Sequence, residues 1–392
     1  MSKILRYTTL LIFFICAQIS FAQYAVSFSE NGLKAALEKG KLENKPVMLW
    51  CYATWCPHCK YMREQVFPNT TVGNFFNKTF ICVAQDMEKG EGIDLNKEVK
   101  ISSFPTFIFY NYTGEIIYRV EGELKQAAFI QEGKNALTQK LQFPYLKQQF
   151  EKDESNSNAC YNYVRALKKG GVDISEVVNR YFATQRDNQL LSEINWRIFA
   201  NGVSDFNSRE FRFVISHQKE FANIASPERV KRKLDYEVKA LLNPFVEASD
   251  TVNYRIKRDL ALRIHSYSTD SLVFNYDLTL YELTQNWKMY IKTSLGSAEI
   301  FAWNKPTQLS DILKNVLNNY SDSKTLIQAE RWAKRILELD KSYNNFLLSS
   351  KLYQKLNNIP IAIKMAQNAN NLAMKFGWEG VEAEKLLQEL KK

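Results

Sequence analysis

Cys56 and Cys59 stand three positions apart in the run Trp55-Cys56-Pro57-His58-Cys59-Lys60. Two thiols at that spacing can open and close a disulfide, or they can form half of a metal site. The flanking residues decide between these chemistries. The apolar run Val47-Met48-Leu49-Trp50-Cys51-Tyr52-Ala53 ahead of the pair reads as a buried strand. The stretch Lys60-Tyr61-Met62-Arg63-Glu64-Gln65-Val66-Phe67 behind it reads as a helix. Cys56 then falls at a helix N-terminus, where unpaired N–H groups and the helix dipole favour negative charge. The thiolate is the reactive form of cysteine, so this placement makes Cys56 a nucleophile. A metal site would draw on Cys51, Cys56, His58 and Cys59, but Cys51 lies on the strand and the adjacent His58 and Cys59 point in different directions. No second C-x-x-C supplies the missing ligands, so redox chemistry is the expectation and a metal is not.

The elements that must hold this pair can be read along the chain. Leu33, Ala36 and Leu37 recur at helical spacing before the breaker Lys45-Pro46, and a second helix runs past Val72, Phe75 and Phe76. Residues 79–85 read as the next buried strand, and residues 95–99 as a helical stretch. Phe104-Pro105-Thr106-Phe107-Ile108-Phe109-Tyr110 starts a third strand. The turn Asn111-Tyr112-Thr113-Gly114 joins it to a fourth over residues 115–120, as in a hairpin. A last helix is expected over residues 126–141. This order predicts an α/β sandwich around one mixed sheet.

Trp55-Cys56-x-x-Cys59, followed 46 residues after Cys59 by Pro105-Thr106 opening a strand, resembles a thioredoxin. The resemblance covers residues 23–143 and includes the Gly114 turn and Gly122. Residues 64–67 and 86–90 are similar to exported thioredoxin-like domains of the thiol:disulfide interchange type. The resemblance implies Cys56 as the attacking thiol and Cys59 as the resolving one, with Trp55, Pro57 and His58 around them. It implies a cis bond between Phe104 and Pro105, facing the pair and exposing backbone that pairs with an extended substrate segment. The redox-active Cys56–Cys59 disulfide takes the place of a cofactor. The implied partners are protein thiols and disulfides, together with a redox partner that the residues do not identify.

Two positions depart from the family pattern. The buried acid usual six residues before the first cysteine is Trp50 here, and the dipeptide is Pro57-His58 rather than Gly-Pro. A histidine N–H beside Cys56 favours its thiolate by charge and hydrogen bonding. A stabilised thiolate makes the disulfide a stronger oxidant. The potential is therefore expected above the reducing end of a range running from about −270 to about −120 mV, a span worth ~7 kcal/mol.

Lys3 and Arg6, the apolar stretch from Leu10 to Ile19, and Ser20-Phe21-Ala22 have the order of a secretory signal peptide over residues 1–22. The run is shorter than the ~20 apolar residues of a spanning helix. The bulky Ile15 before Cys16 argues against lipidation of that cysteine. Export is the expectation, to the periplasm in a Gram-negative bacterium and otherwise to the exterior, both of which allow disulfides. No later segment is long and apolar enough to cross a membrane.

The formal charge is +10, of which +2 comes from Lys3 and Arg6, about +1 falls in residues 23–143 and about +7 in residues 144–392, where acidic residues are interspersed. That pattern is a solvated helical surface, and nucleic acid is not an expected partner. Cys51 and Cys82 lie in apolar runs and read as buried hydrophobes, Cys160 as inert, and His217 and His265 as without a catalytic role.

From residue 144 onward the strand patterns vanish, and residues 144–392 are expected to form a helical domain. Residues 151–158 read as a polar linker. Asp173-Ile174-Ser175-Glu176 resembles a capping box, and Ser226-Pro227-Glu228 is a helix start. Ala329, Ala333, Ile336 and Leu339 recur 33 positions on as Ala362, Ala366, Ala369 and Leu372, and Tyr320 as Tyr353. This period resembles tetratricopeptide repeats over residues 309–377, so a partly solenoid architecture is expected. Such a domain would support the fold, mediate oligomerisation or hold clients near Cys56. The alternative to an oxidoreductase is a non-enzymatic helical-repeat scaffold carrying a thioredoxin fold.

Overall fold

The computed structural model of the chain describes residues 26–319 and 322–392; the expected signal peptide and Tyr320 lie outside them. By their internal contacts the described residues divide into two compact units, the first ending at Ala225 and the second starting at Ser226.

The first unit is built on a five-stranded sheet. Its strands are β1 (Phe28–Ser29), β2 (Val47–Tyr52), β3 (Ile81–Asp86), β4 (Thr106–Tyr110) and β5 (Ile116–Glu121), in the spatial order β1-β3-β2-β4-β5. β1 and β2 run parallel to β3, while β4 runs antiparallel to both β2 and β5. The sheet is therefore mixed, as the order of strand and helix signals predicts.

Side chains alternate between the two faces of each strand, and two cores result. Met48 and Trp50 of β2, Cys82 of β3 and Phe107 and Phe109 of β4 enter one core. Val47, Leu49 and Cys51, Ile81 and Val83, and Ile108 and Tyr110 enter the other. Cys51 and Cys82 thus lie in different cores, both buried. Burial pushes the Cys82 thiol up to about 12 and the Cys51 thiol higher still.

Helix α1 (Gly32–Glu43) and, beyond β3, a helix over Gly92–Val99 contribute Ala36 and Val99 to the second core. The first core is closed by three other elements. They are α2 (Pro57–Tyr61) with the π-helical turn Met62–Val66 that continues it, α3 (Thr70–Thr79), and α5 (Gln126–Leu137), α4 being Gly92–Val99. The rings of Phe76 and Phe129 stack at 4.1 Å in this core.

Local chemistry sets the ends of these elements. The Asn69 side chain accepts the N–H groups of Thr71 and Val72 and starts α3. Asn111 accepts those of Thr113 and Glu115 and folds the hairpin. Helix α5 stops at Leu137, short of the expected 141. Thr138 is extended (φ −87°, ψ 103°) and a short 3-10 turn follows.

Seven further helices complete the first unit: α6 (Phe143–Lys152), α7 (Ser157–Lys169), α8 (Ser175–Thr184), α9 (Asp187–Leu190), α10 (Glu193–Gly202), α11 (Arg209–Ser216) and α12 (Gln218–Ala225). The secondary structure becomes all-helical at α6, close to the expected change at 143/144, whereas the division into compact units falls between Ala225 and Ser226. The expected capping box at 173–176 is not made. Asp173 accepts the N–H and hydroxyl of Ser175 instead, and the residue preceding α8 is Ile174.

The second unit consists of α13 (Pro227–Glu247), α14 (Thr251–Leu262), α15 (Tyr267–Leu283), α16 (Trp287–Phe301), α17 (Pro306–Asn319), α18 (Ser323–Leu339), α19 (Tyr343–Lys355), α20 (Ile359–Phe376) and α21 (Val381–Leu390). Ser226 caps α13 through the Arg229 N–H, with Pro227 in its first turn. The expected helical run at Ile256, Leu260 and Ile264 falls partly on α14. Ile256 is exposed there, and the helix buries Tyr254 and Ala261 instead. Ala329, Ala333 and Ile336 of α18 and their 33-residue counterparts Ala362, Ala366 and Ala369 of α20 are all buried, whereas Leu339 is exposed. The side chains of α14 and α15 enclose a charged cluster in which Arg258 pairs twice with the buried Asp277 and Tyr254 donates to it at 2.7 Å. Among the described residues, no helix is long and apolar enough to cross a membrane.

Candidate functional site

Cys56 is the residue preceding α2, with extended backbone (φ −75°, ψ 117°), and Pro57 takes the first helical position. Proline suits that position because its missing N–H would have no partner there. The turn folds back on the sulfur: the Cys59 N–H donates to Cys56 Sγ at 3.4 Å. Cys56 Sγ in turn lies 3.5 Å from the Phe104 carbonyl, to which its S–H can donate. The Phe104–Pro105 peptide bond is cis. The Gly122 N–H donates to the Pro105 carbonyl at 2.8 Å, and Thr106 Oγ1 donates to the Ser103 carbonyl at 2.7 Å. The segment facing the thiols is thereby tied to β4 and to the end of β5. Gly122 has φ +94°, a conformation that favours glycine.

All the residues expected at the site converge here: Trp55, Cys56, Pro57, His58, Cys59, Phe104 and Pro105. Both cysteines are thiols, Cys56 being 4% and Cys59 1% exposed. Burial pushes the Cys59 thiol up to about 12. Its neighbour Cys56 adds to the rise, while the Ala53 backbone and the charge of Arg63 oppose it. Trp55 is 68% exposed beside the pair. Its ring meets Phe104 edge-on at 6.2 Å, and its indole N–H donates to Glu88 at 2.7 Å.

His58 departs from the expectation that it bonds to the Cys56 sulfur. Its Nδ1 lies 2.9 Å from Glu123, in the loop after β5, and the side chain is 64% exposed. The imidazole is therefore anchored to a carboxylate at the rim, and the hydrogen bond given to the sulfur comes from the backbone of Cys59.

Three residues of the site were not singled out by sequence reasoning. Glu88 and Glu123 come from loops after β3 and β5, and nothing in their spacing points to the thiols. Arg63 carried a signal, since it lies four positions beyond Cys59 and so on the same helix face. Its guanidinium sits 5.6 Å from the Trp50 ring and 5.3 Å from the Tyr52 ring. Trp50, in the place of the family's buried acid, stacks on Tyr52 at 4.6 Å and also contacts Phe28 and Phe67. Its indole N–H is buried without a partner.

Among the described residues, no group of three or more His, Cys, Asp or Glu side chains is arranged to hold a metal ion. The arrangement offers a sulfur at the helix start, a second sulfur one turn on that is more deeply buried, and an exposed aromatic side chain, Trp55, beside them.

A family model described as a thioredoxin-like domain matches residues 33–137. Thiol:disulfide interchange protein DsbD of Vibrio cholerae is 32% identical over 117 residues, covering 29% of this chain and 19% of that protein. Protein disulfide-isomerase A5 of Mus musculus is 30% identical over 90 residues, covering 22% of this chain and 16% of that protein. Among solved structures, a putative disulphide-isomerase from Bacteroides thetaiotaomicron aligns at 33% identity over 29% of this chain and 93% of its own, with a TM-score of 0.27. The N-terminal region of the chain is a thioredoxin-like domain, of the family that includes disulfide oxidoreductases, and a large all-helical region follows it. The match spans less than a fifth of the length of these two curated relatives.

Proposed function

We propose that the protein is an exported thiol–disulfide oxidoreductase that exchanges disulfides with protein substrates through Cys56 and Cys59. The observation that carries this reading is the Cys56 sulfur, which sits at a helix N-terminus 3.4 Å from the Cys59 N–H and 3.5 Å from the Phe104 carbonyl before cis-Pro105. In the reductive direction the Cys56 thiolate attacks a client disulfide. The Cys56–client bond forms and the other client sulfur leaves as a thiolate. Cys59 then attacks Cys56, closing the Cys56–Cys59 disulfide and releasing the reduced client. The oxidative direction reverses these steps. In both, a mixed disulfide at Cys56 is the intermediate, and a separate thiol–disulfide partner restores the pair. Export is supported by the basic start, the apolar stretch and the small residues of residues 1–22.

Cys59→Ser tests the mechanism. In the exported compartment it should accumulate dithiothreitol-sensitive adducts at Cys56, and mass spectrometry of these would name clients and partner together. Cys56→Ala should abolish both insulin reduction and thiol oxidation. A protein that retained either activity after that change would not work through this site.

A further inference from the structure

The second chemical step needs a thiolate at Cys59, a sulfur that is 1% exposed. β2 sends Trp50 and Tyr52 to the face beside it, and neither is a proton acceptor at neutral pH. These rings form a stacked pair, and the guanidinium of Arg63 lies over both, at 5.6 and 5.3 Å. Arg63 is an exposed residue on the π-helical turn, one helical step beyond Cys59. Among the described residues its side chain makes no ion pair and no hydrogen bond, and the rings are what it packs on.

The titratable groups that act on Cys59 are Cys56 in its own turn and Arg63, while Cys59 itself acts on Cys51 of β2. Arg63 is the cation among them. The other charged side chains around the helix start are engaged elsewhere. His58 pairs with Glu123, Lys60 with Glu64 and Lys89 with Asp86, while Glu88 accepts from Trp55. None of these bonds to Cys59.

We propose that Arg63, held over the Trp50 and Tyr52 rings, is the positioning residue whose charge favours the Cys59 thiolate in the resolving step. This rests on the thiol–disulfide reading above. The step is client–S–S–Cys56 with the Cys59 thiol going to Cys56–S–S–Cys59 with free client. Cys59 gives its proton to solvent hydroxide, its sulfur attacks Cys56 Sγ, and the Cys56–client bond breaks. The client sulfur leaves with the electron pair and takes a proton from solvent. Arg63 keeps its own proton throughout. Its contribution is electrostatic: it lowers the pH at which Cys59 becomes nucleophilic.

The test follows the resolving step in the full chain, with oxidised glutathione as probe. The dithiol protein is mixed with excess probe, quenched in acid at intervals and alkylated. The lifetime of the glutathione adduct at Cys56 is then read by mass between pH 5 and 9. Arg63→Gln should lengthen that lifetime about threefold at pH 7 and shift the pH profile of resolution upward by about half a unit, the shift and the fold-change being the same quantity. Arg63→Lys should recover most of the rate. Added salt should narrow the gap between the parent chain and Arg63→Gln, since an exposed charge is screened.

Equal lifetimes for the parent chain and Arg63→Gln across the pH range would overturn the assignment, as would a lysine variant no faster than glutamine. If Arg63→Gln fails to fold, the comparison of Arg63→Lys with the parent chain, together with the salt dependence of the parent, still decides it. A salt-independent resolving rate would then count against the proposal. A parent chain that never converts the adduct to the Cys56–Cys59 disulfide would instead refute the proposed function, so the two failures read differently.

Discussion

The imidazole of His58 bonds to Glu123 rather than to the sulfur it was expected to serve, in a pair whose histidine side is 64% exposed. An exposed pair of this kind is worth at most about 1 kcal/mol, which for a two-electron couple is about 20 mV. The family's potential range spans roughly 150 mV, so His58 acting from the rim cannot set where this protein falls within it. The Cys59 N–H directed at Cys56 and the helix start are the stronger terms. A hydrogen-bond donor near the thiolate favours the reduced form and raises the potential, and a carboxylate does the opposite. Equilibration with glutathione should therefore find His58→Ala lower than the parent chain by about 20 mV, and Glu123→Gln higher by a similar amount. A fall of about 60 mV or more in His58→Ala would mean that the imidazole acts on the sulfur directly. The thiol pair and Pro105 were legible because their residue types and spacing are the chemistry itself. Glu88 and Glu123 were not, because loop residues reach the site through tertiary closure that leaves no periodic trace. Arg63 was half legible. Its helical step from Cys59 is in the sequence, but the rings that hold it stand on the strand before the thiols.

At the level of elements, β2 to β5 were readable because a buried strand shows as an apolar run, whereas β1, two half-buried residues long, was not expected. β2 is buried on both faces, with Met48 and Trp50 in one core and Val47, Leu49 and Cys51 in the other. Helix boundaries were less readable, as Thr138 shows by ending α5 early. The covering of β5 was not readable at all. β5 is an edge strand, a surface that folded proteins usually cover or blunt. Helix α7 meets it: Lys169 reaches Glu132 at 2.6 Å and the Tyr118 hydroxyl at 2.8 Å, and Tyr118 donates to Glu132 at 2.5 Å. The chain leaves α7 through Gly170 and Gly171. Gly171 has φ +64°, and a Cβ there would stand 1.9 Å from the Glu121 carboxylate, which accepts from Ser102 and lies 3.7 Å from Arg119. Gly171→Ala must adopt a left-handed backbone and also displace Glu121. The expected cost is about 2 kcal/mol, seen as a fall of several degrees in the melting transition of the first unit. A variant that melts with the parent would show that this junction relaxes freely.

Over the whole molecule, the division of the chain at Ala225/Ser226 places α6 to α12 in the compact unit that carries the thiols. The two cores of the sheet draw on residues between 26 and 141, whereas the large helical clusters of the second unit draw on residues from 274 onward. The break is locally marked. Ser226 adopts φ +134° and caps α13, whose first residue is Pro227. A fragment of residues 26–225 should therefore unfold in urea with a midpoint close to that of the same unit in the full chain and keep the redox chemistry of Cys56 and Cys59. Residues 226–392 should give a helical spectrum by themselves. A fragment of residues 26–143, cut where strand patterns end, loses Lys169 from the Glu132–Tyr118 group and uncovers β5. The half-exposed Lys169 pair contributes modestly and the hydrogen bonds add to it, so this shorter fragment should be less stable than 26–225 by about 2 kcal/mol or more. Equal urea midpoints for the two would make α6 to α12 passengers on a self-sufficient sheet. A lower midpoint for 26–143, with glutathione exchange retained at low temperature, would establish those helices as the outer wall of the catalytic unit.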